Sequence, residues 1–179
     1  MTQVEMNALV ETGVKAAIEN VCGTMLGCNV EVGCPRMIDS PLQESDGVVA
    51  LIGMAGPWIG TGALTCKPEV ARRLAGAFLM SEYDTVNDEV LDAIAELANM
   101  VIGNLKTSLE ERVGQMGLST PTTIYGASFT TKIGGANNWT LVPVRVCDGE
   151  LLIQVCILPN KDGQRHARLD IVGHMVTRS

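Results

Sequence analysis

Glu96 and Asn99 stand three residues apart in the run DEVLDAIAELANMVIGNLKTSL, residues 88–109. At 3.6 residues per turn that spacing sets the two side chains side by side on one helix face. An asparagine amide offers donors and an acceptor together, so it can fix the direction of a bound water, although it cannot act as a base at neutral pH. The glutamate places a fixed negative charge beside it, and Asp92 adds another a turn earlier. The same spacing is also ordinary helix decoration, so the surrounding elements must decide what it means.

Projected at 100° per residue, Val90, Leu91, Ile94, Leu97, Ala98, Val101, Ile102, Leu105 and Leu109 fall on one broad face, and Glu96 points away from it. The outer face around the pair carries Ala93, Met100 and Gly103, small or apolar residues that let another protein's surface come close. This longest helix is expected over roughly residues 87–113. A first amphipathic helix is expected over 5–26, and Pro68 opens a shorter one over 68–80.

Between and after these helices the pattern is that of strands. A short one is expected around 29–38, followed by the polar loop SPLQESDG. Residues 47–66 carry no charge and are long enough to cross a bilayer, but Gly53, Gly56, Pro57, Gly60 and Gly62 punctuate them. They read as the hairpin VVALIGMA and WIGTGALTC. Three further strands, TTIYGASF, WTLVPVRVC and ELLIQVCIL, are rich in β-branched residues, with an Asp-Gly turn in Cys147-Asp148-Gly149-Glu150 between the last two. The order predicts an α+β domain: a largely antiparallel sheet of about six strands with a long helix and two further helices packed on it. One domain spans 1–158, and 159–179 is a polar tail with room for one extra strand at LDIVG.

The formal charge of −7 argues against nucleic acid or an anionic membrane as partner, since both require a basic face. The segment at 1–12 lacks a basic and an apolar leader region, which points to the cytoplasm. Cys22, Cys28, Cys34, Cys66, Cys147 and Cys156 form no C-x-x-C, and His166 and His174 lie far away in the tail, so no metal site is expected. The cysteines read as free thiols acting as small hydrophobes. No Walker loop or Gly-x-Ser-x-Gly elbow supports a small-molecule enzyme.

The run 88–109 closely resembles the signature helix of the CheC/CheX/FliY phosphatases of bacterial chemotaxis. That family shows an acidic or Ser residue, three residues, Glu, two residues and Asn, here Asp92, Glu96 and Asn99, with a Gly-Asn pair following as Gly103-Asn104. GTMLG at 23–27, the Gly-rich hairpin and the helix at 68–80 extend the resemblance over about residues 5–158. One motif per chain is the CheX arrangement, whereas CheC-type members carry two.

The resemblance implies a CheC-like fold and removal of phosphate from the aspartyl phosphate of a CheY-type response regulator. Asn99 would position the attacking water and Glu96 would pair with the regulator's lysine, with Asp92, Met100 and Gly103 in the docking surface. Mg²⁺ would be carried by the regulator and no cofactor by this chain. A homodimer is also implied. The alternative is a non-catalytic adaptor of the same fold, like those of the flagellar switch.

Overall fold

The structure is a computed structural model that describes residues 1–39, 45–129 and 138–160. The extra strand expected at LDIVG lies outside the described residues, as does most of the loop SPLQESDG.

Helix α1 (Gln3–Val21) begins with a reciprocal cap. Glu5 N–H donates to Thr2 Oγ1 at 3.3 Å, and Thr2 N–H donates to Glu5 Oε2 at 2.7 Å. The expected helix over 5–26 is thus α-helical only to Val21. A π-helical turn, Cys22–Leu26, carries it to Gly27, whose left-handed backbone (φ 60°) ends it. Helix α2 (Pro68–Leu79) opens on proline at its first turn. In helix α3 (Asp88–Val113) the Asn87 side chain accepts the Val90 N–H at 3.0 Å, and Asp88 and Glu89 lie at the positive end of the helix dipole.

The strands are β1 (Val30–Val32), β2 (Arg36–Ile38), β3 (Ser45–Ala55), β4 (Trp58–Cys66), β5 (Gly117–Leu118), β6 (Thr122–Phe129), β7 (Trp139–Val146) and β8 (Gly149–Pro159). All pairings are antiparallel. The order β1-β7-β8-β4-β3-β5, with β2 also on β7 and β6 also on β3, gives, among the described residues, eight strands in six positions across the sheet. The single strand expected at 29–38 is therefore two pieces along β7. Pro35, which has no N–H to give a ladder, lies in the break between them.

The β7–β8 hairpin is present, but its loop is Cys147-Asp148 rather than Asp148-Gly149. Both loop residues have positive φ (48° and 56°), and Val146 pairs with Gly149. This register sets Arg145 opposite Glu150, an opposite-charge pair that the other turn would have lost. At the far end Asn160 ties β8 to the β3–β4 turn, with its N–H on Pro57 O and its Nδ2 on Gly56 O, both at 3.0 Å. β8 thus runs to Pro159, the first residue of the expected tail, and Asn160 is tied to the turn beside it.

Val48, Ala50, Ile52 and Met54 of β3, with Val142, Val144, Ile153 and Val155 of β7 and β8, meet the buried faces of all three helices in one core. On the other face Val49, Leu51 and Ala63 form a small second cluster with Ile124. Helix α3 is held closely against α1: a Cβ on Gly13 would stand 2.6 Å from Leu105 Cδ1 and 2.9 Å from Ser108 Oγ, so a side chain there would have to push both aside.

Candidate functional site

Helix α3 is fixed along its whole length. Val90, Ile94, Leu97, Ala98, Val101, Ile102, Leu105 and Leu109 are buried beneath it, as the periodicity requires. Its C-terminal end is tied by Glu110, which accepts Lys106 Nζ at 3.0 Å and the Met116 N–H at 2.7 Å. These bonds, the Met116 N–H first, hold the Glu110 carboxyl below the ordinary carboxylate range. Near the other end Glu89 accepts the Tyr83 hydroxyl at 3.0 Å.

Between those engaged ends lies the predicted pair. Glu96 is exposed and Asn99 partly so, one turn apart on the outer arc, with Asp92 exposed a turn before them. Side chains at this spacing have Cβ atoms about 5–6 Å apart. Among the described residues no side-chain hydrogen bond reaches Glu96 or Asn99.

Met100 and Gly103 are half-buried beside the pair. Met100 also packs on the core, so its thioether belongs partly to the interior. Ala93 departs from the wheel: it is buried, at 3% exposure. A projection of one helix takes no account of its neighbours, and α1, α2 and the sheet together cover a wider arc of α3 than its own periodicity indicates. Leu118 of β5 was not foreseen. Its Cδ1 lies 3.9 Å from where a Cβ on Gly103 would stand, so it forms a low wall beside the outer arc of α3. A two-residue strand leaves no periodic signal by which it could have been found.

Among the described residues no group of three or more His, Cys, Asp or Glu side chains could hold a metal ion. No described helix is long and apolar enough to cross a membrane. The six cysteines, all among the described residues, form no disulfide; Cys22, Cys66 and Cys156 are buried.

An antiparallel sheet with helices on one face and an open Glu/Asn pair on the longest of them defines a CheC-like α+β domain. The fold matches a CheC-like superfamily protein from Shewanella sp. PV-4 with a TM-score of 0.74 at 24% identity, over 84% of this chain and 97% of that one. The family is narrower. The model for the chemotaxis phosphatase CheX matches residues 48–143, more than half of the sequence, and the chain belongs to that family. A curated relative, the CheY-P phosphatase CheX of Thermotoga maritima, is 25% identical over 131 residues, which is 73% of this chain and 84% of the relative. The CheX of a CheX–CheY–BeF3–Mg²⁺ complex from Borrelia burgdorferi shares the fold, with a TM-score of 0.64 at 20% identity, over 84% of this chain and 96% of that one.

Proposed function

We propose that this chain hydrolyses the aspartyl phosphate of a CheY-type response regulator, using the outer arc of α3 as the inserted element. The observation that carries this reading is the Glu96/Asn99 pair, adjacent on one helix and without a hydrogen-bond partner among the described residues, in a chain of the CheX family. The Thermotoga maritima relative is a CheY-P phosphatase, and the Borrelia burgdorferi CheX is found with CheY, BeF3 and Mg²⁺, where BeF3 stands in for a phosphoryl group.

An acyl phosphate is already activated, and the regulator's own Mg²⁺ offsets charge on the phosphoryl oxygens. What the helper protein must add is a water held in line with the breaking P–O bond. The Asn99 carbonyl oxygen accepts a hydrogen bond from that water and its amide donates toward the phosphoryl oxygens. The water's oxygen bonds to phosphorus, the aspartate leaves as carboxylate, and the released proton passes to phosphate or solvent. Glu96 meets the regulator's lysine, and this charge-assisted contact sets the register of α3 in the regulator's cleft. Asp92, Met100 and Gly103 complete the docking face. A hundredfold acceleration asks only about 2.7 kcal/mol of this arrangement.

The test follows loss of phosphate from purified, phosphorylated CheY-type regulators with and without this protein. Faster loss with the wild type, absent with Asn99→Ala, supports the phosphatase. Binding of a phosphorylated regulator without faster loss would transfer the chain to the adaptor reading.

A further inference from the structure

Two cysteines that the phosphatase reading does not use meet at the end of the sheet. Cys147 Sγ donates to Cys28 Sγ at 3.4 Å, across 119 residues of sequence. Both are half-buried; Cys22, which also contacts Cys28, is buried, as are Cys66 and Cys156.

Their positions are fixed by the backbone on both sides. Gly27 ends the π-helical turn and delivers Cys28 toward β1, and β1 pairs Val30 with Val146, immediately before Cys147. Arg73 Nη1 holds the turn from outside, on the carbonyls of Cys147 at 3.2 Å and Asp148 at 3.0 Å. Cys147 also occupies a left-handed position (φ 48°), where a two-residue hairpin favours Asn, Asp or Gly. Turn chemistry does not account for a cysteine there; its sulfur contact does. An S–S bond of 2.03–2.05 Å needs the sulfurs to close by only about 1.4 Å.

We propose that Cys28 and Cys147 are a modification site, a dithiol that hydrogen peroxide converts to a reversible intramolecular disulfide. The Cys28 thiolate attacks one peroxide oxygen, the O–O bond breaks, and the hydroxide released takes up a proton to leave as water, giving a sulfenic acid on Cys28. The Cys147 sulfur then attacks that sulfur, the S–O bond breaks, and the Cys147 proton leaves with the hydroxyl as a second water. The two thiols lose two electrons and the peroxide gains them. Burial first, with the hydrogen bond to Cys28 adding to it, pushes the Cys147 thiol up to about 12, so Cys147 stays protonated and leaves the first step to Cys28.

The experiment treats the reduced full chain with hydrogen peroxide, alkylates the remaining thiols and maps the peptides without reduction. A Cys28–Cys147 cross-link within one chain is expected, with a thermal midpoint higher by roughly 5–15 °C that returns to its starting value on reduction. Cys147→Ser should leave a Cys28 sulfenic acid that dimedone captures, and Cys28→Ser should leave Cys147 reduced. If Cys147→Ser does not fold, the wild-type map decides alone. A cross-link to Cys22, dimers joined through the exposed Cys34, or both Cys28 and Cys147 still open to alkylation after treatment would overturn the proposal.

Discussion

A Cβ on Gly62 would stand 2.5 Å from Ile102 Cδ1 and 2.8 Å from Ile102 Cγ1, so β4 and α3 are in contact where one of them has no side chain. Ile102 is fully buried, and its branched side chain has one strongly preferred rotamer in a helix, which leaves it little room to turn aside. Gly62→Val should therefore cost about 1–3 kcal/mol in urea unfolding and lower the thermal midpoint by several degrees. Because Ile102 lies one turn beyond Asn99, the same variant should also reduce phosphatase turnover per folded molecule. Unchanged stability would show that α3 can lift from the sheet freely.

Asn99→Ala should lower the rate of regulator dephosphorylation by a hundredfold or more, about 2.7 kcal/mol, with regulator affinity nearly unchanged. Glu96→Gln should act differently. It removes one charge of the proposed charge-assisted contact, of a kind worth about 1.5–3 kcal/mol, so affinity should fall roughly tenfold or more and depend less on salt. Titration calorimetry together with single-turnover decay separates the two effects.

Asn87→Ala removes the side-chain acceptor for the Val90 N–H and should cost about 1 kcal/mol. Hydrogen exchange should speed up in the first turn of α3 and leave the amides around Glu96 and Asn99 protected. Loss of protection along the entire helix would mean that the cap holds more than its own turn.

Glu110 gives the fold an acid-sensitive fastening. Its carboxyl is depressed in the folded protein by the Met116 N–H and by Lys106, so it binds a proton less readily there than in the unfolded chain. Its contribution is complete above the unfolded carboxylate pKa and is lost as pH falls through the lower folded one. Denaturation curves across the acid range should show stability falling with pH, with a weaker fall in Glu110→Gln. Equal slopes for the two proteins would remove Glu110 from that role.

The long elements were legible because their periods are long. Nine apolar positions of α3 and the β-branched runs of β6 to β8 each repeat often enough to declare a face. Glu96 and Asn99 were placed correctly on the outer arc for the same reason. Features set by neighbours escaped: Ala93 is covered by elements distant in sequence, Leu118 reaches Gly103 from a strand too short to alternate, and the Cys147-Asp148 loop follows from a cross-strand register in which Arg145 faces Glu150. The meeting of Cys28 with Cys147 is of the same kind, since nothing local to either residue signals it.

Capped by Asn87, tethered through Glu110 and seated on the sheet at Ile102, α3 behaves as a stiff rod. Its backbone loses almost no freedom when a partner closes over it, and only a few surface rotamers, those of Glu96, Asn99 and Met100, have still to be ordered at roughly 0.5–1.5 kcal/mol each. For the docking proposed on this arc, this side of the encounter is already formed before the partner arrives.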